Sequence, residues 1–260
     1  ENRIPNHGFE SLLDIFPLLK IENSVLAISS FRNMATNTET TNKLIKFLIK
    51  FQAYYPTLYE FSNDINIEND IIPAIERVID RFGEIRDKAS DNLFSIRKKL
   101  QQLRGKISSS FNKSLSQYNG ADYLDDIKES IVNNRRVLAV KAMYRRKVKG
   151  TIMGSSKTGS IVFIEPETTY LQNQELQNLL FEETEEIKKI LTELTDFFRP
   201  HLPYFQNQHS FLLMFDIIYA KACYGREIDG IFPKINLDEK EINYKKAFHP
   251  LLLQTNRLQN

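Results

Sequence analysis

The residues with the clearest chemistry in this chain are basic side chains concentrated between positions 130 and 164. This basic stretch lies between Glu129 and Glu165 and contains no aspartate or glutamate. Guanidinium and ammonium groups carry the positive charge and the hydrogen-bond donors that phosphate groups attract. The eight candidate contact residues are Arg135, Arg136, Lys141, Arg145, Arg146, Lys147, Lys149 and Lys157.

The charge of the basic stretch does not follow from overall composition. The whole chain has a formal net charge of +2, so eight cations in one stretch leave −6 for all other residues. This segregation favours a surface that meets a polyanion, through phosphate contacts rather than base reading. A solvated lysine-rich surface is the alternative, which the absence of acids makes less favoured. Tyr144 lies among the arginines and is a candidate for stacking on a base.

A glycine-rich segment, residues 154–160, resembles a phosphate-binding loop at first sight. A Walker A motif requires lysine directly after its second glycine, and this chain has Ser160 at that position. The motif also lies between a strand and a helix, whereas strands are predicted on both sides here. We therefore interpret the segment as a hairpin turn, in which Lys157 and the hydroxyl groups remain candidates for phosphate contact.

Residue types that commonly catalyse reactions or bind metals show no suitable spacing. Cys223 is the single cysteine, which excludes an intramolecular disulfide and a multi-cysteine zinc site and fits a reducing cytoplasm. The glutamates of residues 182–186 are interpreted as a solvated helix face with nearby lysines. We predict no catalytic residue, metal or cofactor within this chain. The histidines, none with metal-ligand spacing, are His7, His201, His209 and His249.

Length and composition describe an ordinary globular protein. The chain has 260 residues, of which 42% are hydrophobic and 26% charged, so one large or two smaller domains are expected. The richest apolar run, residues 211–215, is far shorter than the roughly 20 residues needed to cross a bilayer. No membrane association is predicted.

Long helices are predicted to present the basic stretch. Apolar residues from about 70 to 115 recur at steps of three, four or seven, which predicts one helix with a coiled-coil-like seam. Similar patterns predict helices over residues 8–61, 171–198 and 205–228. An Asn133-Asn134 turn and alternating residues up to 164 predict a small antiparallel sheet between the long helices. A further strand is expected near residues 242–244.

These elements predict a mainly α fold with a helical core, long antiparallel lever helices and a small antiparallel β clamp inserted at their tip. Two long helices would hold the sheet, and with it the basic stretch, away from the core. The predicted order is helical core 1–70, outgoing lever helix 71–118, basic β-rich clamp 119–166, returning lever helix 167–200, core return 201–235, and linker with a first strand 236–260.

Several motifs together resemble one family, the second bacterial branch of the MutS proteins. They are residues 79–90 (IDRFGEIRDKAS), 137–150 (VLAVKAMYRRKVKG), 156–166 (SKTGSIVFIEP), 173–176 (NQEL) and 247–252 (AFHPLL). The match is strongest over about 75–200. Two departures concern only detailed clamp contacts: Met153-Gly154-Ser155 replaces the family's His-Asp-Gln, and Ala139 stands where proline is common.

The resemblance implies a core, lever and clamp region of a homodimeric ATPase. An ATPase domain that binds ATP and Mg²⁺ would follow residue 260, with residues 247–252 as its first strand, and a nuclease-like Smr domain often follows that. The chain begins at Glu1 without methionine, which suggests a fragment. Mismatch recognition is not implied for this branch. Its members are associated with DNA-structure binding, suppression of recombination and rescue of stalled ribosomes.

The combined expectation is a clamp that grips duplex or branched DNA through its phosphates and responds to the nucleotide state of the ATPase. Two alternatives remain open from the sequence. In the first, the basic clamp binds ribosomal RNA in a stalled-ribosome rescue factor. In the second, the region is a dimerisation and lever module whose basic surface contacts an acidic protein partner.

Overall fold

A computed structural model describes residues 3–235, 242–245, 247–252 and 255 of the chain. Over these residues the fold is mainly α-helical with one small antiparallel sheet, which confirms the predicted fold class. The named elements are α1 Ile15–Lys20, α2 Ile28–Lys50, α3 Pro56–Phe61, α4 Ile71–Val78, α5 Asp91–Gly120, β1 Leu124–Val132, β2 Arg135–Lys141, β3 Gly150–Ser155, β4 Ile161–Pro166, α6 Glu167–Phe198 and α7 Leu202–Glu227.

The chain divides into two compact units. The first comprises Glu1–Phe16, Asn33–Ile72 and His201–Asn260. Its hydrophobic core is built by residues of α2 and α7, with Leu44, Leu48, Phe211 and Phe215 almost completely buried. The spacing of four between Leu44 and Leu48, and between Phe211 and Phe215, is about one helical turn and fits the period that predicts the two elements.

The second unit comprises Pro17–Arg32 and Pro73–Pro200, and it contains the whole sheet. Helices α5 and α6 run antiparallel in it, because their side-chain hydrogen bonds join Ser90 to Glu186 at one end and Ser114 to Thr168 at the other. Between these ends, buried leucine and isoleucine side chains pack the two helices against each other. They are Ile96, Leu100, Leu103 and Leu179.

The single helix predicted from 70 to 115 is wrong, because the chain turns between α4 and α5. The Asp80 carboxylate accepts the backbone N–H groups of Phe82 and Glu84 at 2.8 and 2.9 Å, which offers the backbone an alternative to helix. Gly83 follows with φ +89°, a conformation that favours glycine. The helical spacing continues through this turn at Phe82, three residues after Ile79, but Phe82 is 71% exposed, while Ile79 and Ile85 are buried and pair as an isolated bridge.

The sheet has the strand order β1-β2-β4-β3, and each neighbouring pair is antiparallel. The predicted Asn133-Asn134 turn is confirmed, with φ values of +50° and +60° that asparagine tolerates in two-residue hairpins. Strand β4 lies between β2 and β3, so these two strands run parallel. Residues 142–149, called the crossover below, carry the chain from the end of β2 to the start of β3.

The predictions for the C-terminal region hold only in part. Helix α7 covers the stretch predicted as residues 205–228. The strand predicted near 242–244 is wrong, since those residues form no strand. The strand predicted over residues 247–252 is also wrong in its last three residues, because residues 250–252 are helical. The rest of the predicted linker, residues 236–241, 246, 253–254 and 256–260, lies outside the described residues.

No helix within the described ranges combines the length and the hydropathy that a membrane span requires.

Candidate nucleic-acid interface

Three of the eight predicted contact residues form ion pairs with carboxylates of the same chain. Arg135 donates to Glu165 Oε2 at 2.9 Å, and the Glu165 side chain is completely buried. The second oxygen of Glu165 accepts Asn173 Nδ2 at 2.6 Å. A buried carboxylate needs such partners, since its desolvation costs several kcal/mol. Arg135 therefore neutralises the buried carboxylate of Glu165 within the sheet.

Arg136 is held on the opposite side of the same hairpin. Its Nε and Nη2 atoms donate to Glu129 Oε2 at 3.1 and 2.6 Å, and Nη2 also reaches Asn112 at 3.2 Å. The guanidinium carbon lies 4.2 Å from the ring centre of Phe111, a cation–π distance. These contacts fasten the β1–β2 hairpin to α5.

Lys141, the last residue of β2, is paired with Asp122. Its Nζ atom donates to Asp122 Oδ1 at 2.9 Å and lies 3.3 Å from the Asp122 carbonyl oxygen. The hydrogen bond that Lys141 donates to Asp122 raises the pKa of Lys141 above its ordinary value, against a smaller opposing effect of desolvation. With Arg135 and Arg136, Lys141 forms the group called the paired cations below.

The remaining five cations are exposed to solvent. They have no ion pair with a carboxylate in the part of the chain that the structure describes, and they are called the open cations below. Four lie in the crossover and the fifth lies in the turn between β3 and β4. The open cations are Arg145, Arg146, Lys147, Lys149 and Lys157.

A buried valine anchors the crossover to the sheet. Val148, between Lys147 and Lys149, is only 5% exposed and packs in the core with Val140 and Val162. Gly150 then enters β3 so close to β4 that a Cβ atom would overlap the Glu165 carbonyl oxygen. The end of the crossover is thus fixed at Val148 and at the following Gly150, while the basic side chains on either side of Val148 stay exposed to solvent.

Three tyrosines pack together under the crossover. Tyr123 stacks with Tyr144 at a ring-centre distance of 4.8 Å and with Tyr118 at 6.4 Å. The Tyr118 hydroxyl accepts the backbone N–H of Lys149 at 3.2 Å. Lys147 Nζ lies 5.6 and 5.8 Å from the ring centres of Tyr123 and Tyr144. This tyrosine ladder connects the crossover to α5 and to the chain between α5 and β1.

The sequence predicts base stacking for Tyr144 alone, and the structure adds Tyr118 and Tyr123 beside it. One face of the Tyr144 ring is taken by Tyr123. The ladder brings together residues up to 26 positions apart, and no periodic pattern in the sequence signals such a contact. The feature of the sequence that points to this ladder is the presence of several tyrosines in and near the basic stretch.

The turn of residues 156–160 brings Lys157 to one end of the crossover. The Ala142 backbone N–H donates to the Ser160 carbonyl oxygen at 2.9 Å, which joins the turn to the start of the crossover. Gly159 has φ +72°, and strands β3 and β4 flank the turn as predicted. A strand-turn-strand element has no helix N-terminus to point at a phosphate, so the geometry is that of a hairpin.

In the described part of the chain, no group of three His, Cys, Asp or Glu side chains is arranged to hold a metal ion.

Comparison with known proteins identifies relatives, although no family model matches the chain. It is 33% identical over 258 residues to "Endonuclease MutS2" of Halothermothrix orenii, covering 96% of this chain and 32% of that protein. The corresponding protein of Clostridioides difficile is 33% identical over 252 residues, 97% of this chain and 30% of the relative. That of Clostridium perfringens is 30% identical over 251 residues, 95% and 32% respectively.

Fold and site define a mainly α-helical protein whose inserted sheet carries open positive charge. The relatives place the chain more narrowly: it belongs to the MutS family, in the branch of the proteins named MutS2. This confirms the family resemblance found in the motifs. The chain spans about a third of the length of the curated relatives it matches.

Proposed function

We propose that the crossover is a nucleic-acid grip that binds the phosphates of duplex or branched DNA. The single observation that carries the proposal is the group of four open cations on an eight-residue segment anchored by Val148. Unpaired, exposed cations on a fixed backbone can neutralise phosphates without first breaking internal ion pairs. The relatives are named endonucleases, which act on nucleic acid, and this agrees with the proposal.

The contacts proposed are independent of base sequence. The only helical segment of the crossover is the single 3₁₀ turn Ala142–Tyr144, and the crossover contains no α-helix or β-ribbon of the kind that reads the major groove. Arginine and lysine on phosphate fix position and contribute affinity, and that affinity falls with salt because counterions are released.

The two long helices suggest how the grip is controlled. Helix α5 leads into the sheet and α6 leaves it, so the pair is the covalent connection of the sheet to the rest of the chain. We extend the proposal to a lever: nucleotide state in an ATPase region of the whole protein moves the helix pair, and the sheet with it. In a homodimer, two such grips on one DNA would gain avidity from effective concentration.

Salt dependence of DNA binding tests the proposal. Fluorescence anisotropy with a labelled 30-base-pair duplex is measured between about 50 and 300 mM KCl. Each phosphate contact contributes about −0.9 to the slope of log affinity against log salt. The variant Arg145→Ala/Arg146→Ala/Lys149→Ala is expected to bind more weakly, with a slope shallower by about 3.

A matched control removes the same charge from α5. Lys98, Lys99 and Arg104 are exposed and form no ion pair with another described residue. The variant Lys98→Ala/Lys99→Ala/Arg104→Ala is expected to keep most of the affinity and the slope. An equal loss in both triple variants, or no salt dependence in the unaltered chain, would refute the grip. Co-sedimentation with ribosomes that exceeds retention on branched DNA would favour ribosomal RNA as the target.

A further inference from the structure

The two edges of the sheet differ in charge, and this difference bears on the path of a bound nucleic acid. Edge strand β1 carries three acidic residues, Asp125, Asp126 and Glu129, against one lysine, Lys128. Its pairing with β2 is interrupted between Leu124 and Glu129, so Asp125 and Asp126 lie outside the ladder. Acids and irregular pairing are features by which natural sheets block an edge.

Edge strand β3 has the opposite character. Its six residues include no charged side chain, and no strand of the described chain pairs with its outer side. Thr151 and Ser155 provide exposed hydroxyl groups, and Ile152 is 58% exposed. Lys149 directly precedes the strand and Lys157 follows it in the turn.

The spacing of these two lysines suits a polyanion. A six-residue strand is about 20 Å long, so Lys149 and Lys157 lie at opposite ends of an uncharged edge of that length. Along one strand of duplex DNA, 20 Å of helix axis corresponds to about six phosphates. Hydroxyl groups and unpaired backbone N–H groups between the lysines are the donors that commonly contact phosphate and sugar.

A strand of another protein is the competing occupant of a free sheet edge. Lysine at both ends of the edge and no acid on the strand favour a phosphodiester backbone, which is charged at every nucleotide, over a peptide backbone, which carries no charge of its own. Resting on the proposed function, we infer that the outer edge of β3 is the track for one strand of the bound DNA. Lys149 and Lys157 each hold a phosphate, and the carboxylates of β1 keep the DNA off the opposite edge.

A matched pair of substitutions tests the track. Ile152 on β3 and Ile127 on β1 are exposed isoleucines, 58% and 71% accessible, one on each edge. Ile152→Glu places a carboxylate on the track and is expected to lower affinity for a 30-base-pair duplex about tenfold at 0.1 M KCl. Ile127→Glu adds the same charge to an acidic edge and is expected to change affinity less than twofold. Circular dichroism is used to check that both variants remain folded.

Photocrosslinking tests the same inference without relying on affinity. Ile152→Cys and Ile127→Cys are made in a Cys223→Ser background and labelled with a thiol-reactive aryl azide. The probe at position 152 is expected to crosslink to the duplex, and the probe at 127 is not. Crosslinking at 127 as strong as at 152, or crosslinking of 152 to a second protein copy, would overturn the track.

Failure of the track and failure of the grip give different results. If Ile152→Glu binds like the unaltered chain while the crossover triple variant loses affinity, the grip stands and the track is wrong. If the unaltered chain has no affinity for duplex DNA, both are wrong.

Discussion

The paired and the open cations lie in the same small sheet and share one acid-free stretch of sequence, yet they have different surroundings. In and beside the hairpin, Arg135 and Arg136 are bound to Glu165 and Glu129. In the crossover, Arg145 and Arg146 have no carboxylate partner among the described residues. The comparison teaches that a count of basic residues overstates a binding surface, because acids just outside the stretch fold back onto part of it.

Burial explains why the two groups differ in role. Glu165 is fully buried and needs a cation, so Arg135 contributes to stability. Four of the open cations flank the buried Val148 in the sequence, and none of the five belongs to the hydrophobic cluster that contains Val148. We therefore expect the paired cations to govern folding and the open cations to govern binding, and each prediction below tests that division.

Removal of Arg135 is expected to have the largest effect. Arg135→Ala leaves Glu165 buried without its cation and should lower the free energy of unfolding by about 3 kcal/mol. Urea denaturation of the 260-residue chain measures this. Arg135→Ala/Glu165→Gln should recover part of the loss, since an amide is cheaper to bury than a charge. Unchanged stability in Arg135→Ala would contradict the structural role assigned to this arginine.

The division between the groups is tested most directly by two variants that remove similar charge. Arg145→Ala/Arg146→Ala removes two open cations and should weaken duplex binding by on the order of 30-fold at 0.1 M KCl. Arg136→Ala/Lys141→Ala removes two paired cations and should weaken it less than threefold, because those charges are already neutralised. Anisotropy titrations compare the two. Equal losses would show that pairing in the free protein does not decide binding.

The tyrosine ladder should affect binding through position and not through charge. Tyr123→Leu removes both ring contacts of the ladder and should cost about 1 kcal/mol of stability. The affinity for duplex DNA should fall about threefold because Lys147 is no longer positioned by the Tyr123 ring. The slope of log affinity against log salt should stay the same. Tyr118→Phe, which loses only the hydrogen bond to Lys149, is the milder companion variant. A shallower slope in Tyr123→Leu would indicate a lost phosphate contact instead.

The smallest expected effect is on the titration of Lys141. Its pKa is raised by the hydrogen bond that it donates to the Asp122 carboxylate, so Asp122→Asn should lower that pKa towards the ordinary lysine value. A folded-state pKa above the unfolded value stabilises the fold below pH 10.5, and the contribution is lost as pH rises through the folded-state pKa. Carbon-13 NMR of the lysine side chains measures the change. No difference between the two proteins would argue against the ion pair.

Several elements were predictable because their cause is local. The Asn133-Asn134 turn needs two residues that tolerate positive φ, and the sequence contains them there. Helix α6 follows from a long apolar period, and the sheet follows from alternation. The break between α4 and α5 is missed because Phe82 and Ala89 continue the helical spacing from Ile79, although Phe82 is exposed. Asp80 and Gly83 set the turn through hydrogen bonds and backbone conformation.

The sequence alone determined the family, the mainly α fold class and the presence of a basic surface, since periodicity, turn chemistry and net charge are properties of neighbouring residues. Only the tertiary structure decided which cations remain open. Arg135 and Glu165 are 30 positions apart, and Lys141 meets Asp122 across 19. Pairing at such separations depends on the register of β2 with its neighbours and on burial, so residues identical in type become structural in one place and available for binding in another.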